Sequence, residues 1–106
     1  MTDEERKVLN DIAKHEAVAV PTEREKLLDE AKAIVRGDRD QQYGKPEDAF
    51  RVIAEMWTSY LGTEITAGDV CDMMILFKIA RNSYKQKRDN LIDIAGYAAC
   101  AAECEQ

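Results

Sequence analysis

The sequence predicts an all-α protein: a compact bundle of four to five helices that works as a homo-oligomer. Three observations lead there. Apolar residues recur at three- and four-residue spacing in every long periodic segment, the helical period. Helix-start signals stand before those segments, at Thr2 with Glu5, Thr22 with Glu25, and Thr66 with Asp69. Strand-like alternation is confined to the brief run Ala17 to Val20.

The elements follow in order. A first helix from Asp3 to about His15 carries Val8, Leu9, Ile12 and Ala13, and the stretch Ala17-Val18-Ala19-Val20-Pro21 breaks it. Residues 1–21 read as an N-terminal arm, packed peripherally or on a neighbouring subunit, and 22–106 as the bundle. The second helix runs from Glu23 to about Arg36, with Leu27, Leu28, Ala31, Ile34 and Val35 in phase and Gly37 at the stop. A polar loop, Gly37 to Lys45, follows. Pro46 then suits the first turn of a third helix, and Glu47 and Asp48 suit its positive N-terminal end. That helix reaches Leu61 before Gly62, with Phe50, Ile53, Met56, Trp57, Tyr60 and Leu61 on one stripe. The fourth helix, Ala67 to about Tyr84, has Met73, Leu76, Phe77 and Ala80 as its apolar stripe. Asp72 falls on one flank of it, and Lys78 and Arg81 on the other. A short polar linker leads to the last helix, Arg88 to about Ala102, so these two helices should lie antiparallel.

Composition narrows the function. A chain of 106 residues is one domain by size, and its net charge is -6. That balance argues against a duplex nucleic-acid partner, which needs clustered Lys and Arg. A small phosphorylated ligand remains compatible, because a metal bridges anion to carboxylate. No apolar run is long enough to cross a bilayer, so no membrane partner is expected. The acidic opening Thr2-Asp3-Glu4-Glu5 is unlike a secretory signal, and Cys71, Cys100 and Cys104 lack ligand-like spacing. The expectation is a cytoplasmic protein with reduced thiols as small core residues. His15, the single histidine, reads as a solvated residue at a helix end.

The last helix concentrates the functional signal. After Ile94 nearly every residue is small or apolar, which predicts packing almost all round. Yet Asp89, Asp93 and Tyr97 share one line down it, at four-residue spacing. Carboxylates in such a setting need a metal, a basic side chain, or a phosphate that brings its metal. With Asp69 as a third ligand, Asp89 and Asp93 are candidate magnesium ligands. Each has a plainer alternative: a capping role for Asp69, an N-cap for Asp89, and an ion pair with Lys78 or Arg81 for Asp93. Lys78 and Arg81, spaced i, i+3, suit a phosphate or solvent.

Several motifs together carry a resemblance. They are Gly37-Asp38-Arg39, Tyr43-Gly44-Lys45-Pro46, Ile53-Ala54 with Trp57, Tyr60-Leu61-Gly62, the helix Asp69 to Arg81, and Asp89 to Ala99. With them the sequence resembles a family of small phage and prophage proteins of unknown function over about Leu27 to Ala102. At one remove it is similar to the MazG-like all-α nucleotide pyrophosphohydrolases. Those hold magnesium on a nucleoside triphosphate with a Glu-x-x-Glu helix and a Glu-x-x-Asp helix, as dimers or tetramers. This sequence has no Glu-x-x-Glu, and its last helix offers Asp-x-x-x-Asp.

The resulting expectation is a magnesium-dependent nucleotide-binding protein, a nucleoside triphosphate pyrophosphohydrolase. Its alternative is a non-catalytic phage accessory module that binds a host protein or sequesters a nucleotide. In the first reading Asp89, Asp93 and Asp69 hold the metal. Lys78, Arg81 and Arg39 neutralise phosphate, Tyr43 stacks on a base, and Asn90 and Tyr97 complete the ligand contacts. Trp57 is a second stacking candidate, with a place in the core as its alternative. The residues assign no general base.

Overall fold

The computed structural model describes residues 1–16, 20–36 and 44–106, without the side chains of residues 14–16. The proposed break at Ala17–Ala19, the His15 side chain and the loop Gly37–Tyr43, which holds Arg39 and Tyr43, lie outside the described residues. What is described is all-helical: α1 (Asp3–Glu16), α2 (Glu23–Val35), α3 (Pro46–Leu61), α4 (Ala67–Tyr84) and α5 (Arg88–Ala101). No strand occurs among the described residues. No helix is long and apolar enough to cross a membrane, again among the described residues.

Local chemistry sets the helix ends. The hydroxyl oxygen of Thr22 accepts the backbone N–H of Glu25 and starts α2. At α4 the exchange is reciprocal. Thr66 Oγ1 accepts from the Asp69 N–H at 3.1 Å, and Asp69 Oδ2 accepts from the Thr66 N–H at 2.9 Å. Gly62 ends α3 in a left-handed conformation, φ 72°, and its N–H reaches the Thr58 carbonyl. Thr58 Oγ1 accepts the Ile65 N–H at 2.9 Å, which holds the short α3–α4 turn.

The helices α4 and α5 form the centre, and they are antiparallel. The Cys71 and Cys104 sulfurs lie 3.9 Å apart at one end. Lys78 meets Asp93 in the middle. At the other end Asn90 Nδ2 donates to Asn82 Oδ1. The interface is built from small residues: Ala67, Cys71 and Cys104 are buried together, with Phe50, Cys100 and Ala101 packed on them. Val70, Ala54, Ala31 and Ile92 complete the buried apolar set among the described residues. Helix α2 crosses α5 at Gly96, where an added Cβ would meet Val35 Cγ1 at 3.7 Å. Arg88 ties the two helices at their N-terminal ends, donating from Nε to Glu30 at 2.8 Å and from Nη1 to Glu23 at 3.2 Å. Among the described residues there is no extensive contact between α1 and the other helices.

Three expectations about burial change. On α3 the stripe residues Met56, Tyr60 and Leu61 are exposed, while Phe50, Ile53 and Trp57 are half-buried. The stripe Met73, Leu76, Phe77 and Ala80 faces outward, with Leu76 63% exposed. The inward face of α4 is the opposite one: Ala67, Val70 and Cys71, flanked by half-buried Met74, Ile75 and Lys78. Both faces of the helix are apolar, and the smaller side chains win the interior because they let α5 approach closely. Helix α5 is likewise not packed all round. It buries Asn90, Ile92 and Gly96, while Leu91, Ala98 and Ala99 stay exposed.

Candidate functional site

The end of α4 and the start of α5 enclose an open cleft of about 710 Å³. Its walls carry Lys78, Arg81, Lys85 and Lys87, with Asp89, Asn90 and Asp93 opposite, and Phe77, Ala80 and Tyr84 along the rim. Four cations face two carboxylates here, in a chain whose net charge is -6. The helix periodicity explains the gathering. Lys78, Arg81 and Lys85 succeed one another at three and four residues, one per turn. The turn after Tyr84 then brings Lys87 back beside them. Asn82 fixes that turn, its Oδ1 accepting the Lys87 N–H at 3.0 Å and the Asn90 amide at 3.4 Å.

Charges in the cleft are unevenly satisfied. Lys78 Nζ lies 2.9 Å from Asp93 Oδ2, with the lysine side chain 19% and the aspartate 36% exposed. The apolar setting of Asp93 is thus answered by a basic side chain. Arg81 stacks over the Phe77 ring, 5.4 Å from its centre. Arg81, Lys85, Lys87 and Asp89 enter no ion pair among the described residues. Arg88 is different: Glu30 first, then Glu23, hold its guanidinium firmly in the charged form. It is a structural clamp and leaves the cleft charge to its neighbours.

The site residues read from the sequence fall into groups. Lys78, Arg81, Asp89, Asn90 and Asp93 come together in the cleft. Asp89 lies in the first turn of α5, which Lys87 caps, so the N-cap alternative does not hold. Asn90 is buried and clasped to Asn82. Tyr97 sits elsewhere, 6.1 Å from the Phe50 ring centre. It lines a separate apolar cavity of about 370 Å³ with Ile34, Val35, Pro46, Phe50 and Gly96. Asp93 borders both spaces. Asp69 is in its capping box at the start of α4, while Asp89 is at the start of the antiparallel α5. A helix of 18 residues at about 1.5 Å per residue puts them at opposite ends. Among the described residues no three metal-ligating side chains converge. A resident magnesium centre therefore does not fit the donors of one described protomer. Half-buried Trp57 lies outside the cleft lining.

The sequence alone does not mark Lys85, Lys87, Phe77 and Tyr84 as site residues. The signal was present in the spacing Lys78, Arg81, Lys85, but the linker Asn82–Arg88 reads equally well as a plain polar connection.

Comparison with known proteins places the cleft in context. Residues 26–105 match the family described as Domain of unknown function (DUF6378). The chain belongs to that family. The family match takes in most of α2, all of α3, α4 and α5, and so the whole cleft; α1 lies outside it. The chain is similar to the Gene 55 protein of Mycobacterium phage D29, 43% identical over 77 residues, covering 72% of this chain and 51% of that protein. It is also similar to the Gene 55 protein of Mycobacterium phage L5, 46% identical over 76 residues, covering 68% of this chain and 47% of that one. The chain spans about half the length of these relatives. No solved structure matches it.

Proposed function

We propose that this DUF6378 protein binds a nucleotide through its phosphates in the α4–α5 cleft. The observation that supports this is the gathering of Lys78, Arg81, Lys85 and Lys87 in one cleft of an acidic chain. Charge-assisted contacts from such groups are the strong ones for phosphate oxygens. Exposed Tyr84 and half-exposed Phe77, on the rim, are aromatic faces for a base. Magnesium in this reading is carried in on the nucleotide. An ion held by phosphates asks for only one or two carboxylates from the protein. Asp89 meets that number: it is exposed and without an ion pair among the described residues, whereas Asp93 is held by Lys78.

The working unit in this reading is a homo-oligomer, a dimer or tetramer, as the surface exposed by the protomer supports. Retention of the nucleotide is favoured over hydrolysis, because Asp93 is occupied by Lys78 and no metal-ligating cluster stands beside Asp89 among the described residues. The MazG-like resemblance keeps pyrophosphohydrolysis as the second reading, with a second copy supplying the missing carboxylates.

The test is calorimetric titration with nucleoside mono-, di- and triphosphates, with and without magnesium, followed by a product-release assay. Binding that weakens at least about tenfold in Arg81→Ala and in Lys85→Ala is expected, since each removes one charged phosphate contact. Absence of binding by any nucleotide overturns the reading. Magnesium-dependent product release, abolished by chelator, selects hydrolysis over retention.

A further inference from the structure

The protomer exposes more surface than its mass explains. A compact monomer of 12.0 kDa exposes about 6,000 Å². This chain exposes 8274 Å², about 2,300 Å² above that expectation. Its radius of gyration, 16.3 Å, also exceeds the roughly 13 Å of a compact chain of this length. Part of the surplus belongs to α1, whose described residues make no extensive contact with the other helices. Another part is the outward face of α4.

That face is a continuous apolar stripe over three turns: Met73, Leu76, Phe77, Ala80 and Tyr84. No charged side chain lies within it between Met73 and Tyr84, by helical phase. Tyr84 is 94% exposed. Helix α3 adds a second exposed line, Val52, Met56 and Tyr60, at four-residue spacing. Single exposed apolar residues are ordinary, but a stripe of this kind on a small domain marks a covered surface.

We infer that a second copy of the chain covers the outward face of α4, helix against helix. No stripe residue is itself charged, and with the Arg81 guanidinium on Phe77 at one edge the middle at Leu76 and Ala80 is complementary to itself under a two-fold axis. The surplus, of which α1 holds a part, is nearly three times the roughly 800 Å² per partner that a standard stable interface buries. The stripe and the cationic cleft share Phe77, Ala80 and Tyr84. The second copy therefore walls the outer side of the cleft and makes the aromatic rim part of the interface. This last consequence rests on the cleft being the ligand site; the docking does not.

The experiment is light scattering on the full chain, its Leu76→Glu variant, and Glu55→Lys as an exposed polar control. The parent and control are expected at twice the 12.0 kDa chain mass or a higher even multiple. Leu76→Glu is expected to be monomeric and helical, with association weakened at least about a hundredfold, because a carboxylate would be buried in an apolar contact. A monomeric parent at high concentration overturns the inference, as does a folded Leu76→Glu that keeps the parent's mass. If that variant fails to fold, Ala80→Cys treated with a short bis-maleimide decides. A linked dimer above the parent's background supports the α4 contact, and none overturns it. Loss of nucleotide binding in every form, with association intact, counts against the cleft assignment alone.

Discussion

Breaking the contact between Lys78 and Asp93 is the most direct probe of how α4 and α5 are joined. The two charges are 2.9 Å apart and neither is fully in water: the lysine is 19% and the aspartate 36% exposed. Exposed pairs contribute about 0.2–1 kcal/mol, whereas stripping one partner from a buried pair costs about 3–5 kcal/mol. The exposure of Asp93 calls for a discount toward the lower range, because water screens the carboxylate. Asp93→Asn should therefore cost about 1 kcal/mol. In a domain of this size that lowers the melting temperature by about 4–8 °C. The assay is a cycle of Lys78→Met, Asp93→Asn and the double variant, melted at one protein concentration, since association shifts the midpoint. The coupling energy should be about 1 kcal/mol at low salt and smaller at 1 M salt, where the screening length falls to about 3 Å. A coupling below about 0.3 kcal/mol, the limit of simple additivity, would mean that the pair is not formed in solution.

Other changes have defined signs. Thr66→Ala removes the cap of α4 and should lower stability by about 1 kcal/mol, seen as a lower urea midpoint with unchanged slope. Gly96→Ala should raise the melting temperature by a few degrees: the new Cβ meets Val35 Cγ1 at an ordinary 3.7 Å, and glycine inside a helix is about 1 kcal/mol worse than alanine. Burial, foremost, pushes the Cys71 thiol up from 9.0 to about 12. Below pH 9.0 the thiol is protonated in folded and unfolded chains alike, and its contribution is whole; between pH 9.0 and about 12 the unfolded thiol ionises first and stability falls. Urea titration under reducing conditions should show that fall, and Cys71→Ala should flatten it.

Helix boundaries were legible because capping chemistry is local. Thr22, Thr66, Pro46 and Gly62 announce their ends within three or four residues, and the structure puts them there. The inside of α4 was not legible. Periodicity weights the bulky stripe Met73, Leu76, Phe77, whereas the close approach of α5 demands Ala67, Val70 and Cys71. A helix apolar on two sides has no single answer in its own pattern. The site was half legible. Asp93 needed a cation, and Lys78 was among the partners its position allowed. Asp69 was grouped with Asp89 by residue type, though an antiparallel hairpin separates helix starts by the length of a helix. Lys85 and Lys87 are not legible as site residues because a cationic linker and a cationic cleft wall look the same until the turn at Asn82 is closed.

The two ends of the chain are unequal in how they meet the rest. Near the carboxyl end, the Glu105 carbonyl accepts the Gly68 N–H at 2.7 Å, and the Gln106 amide donates to the Ala101 and Cys104 carbonyls. Those contacts hold the last residues against Gly68 in the first turn of α4. Among the described residues, helix α1 makes no extensive contact with the other helices. For anyone preparing the protein, an affinity tag belongs at the amino end. A tag fused directly after Gln106 pulls on the start of α4, whereas one before Met1 hangs from α1, whose described residues make no extensive contact with the other helices.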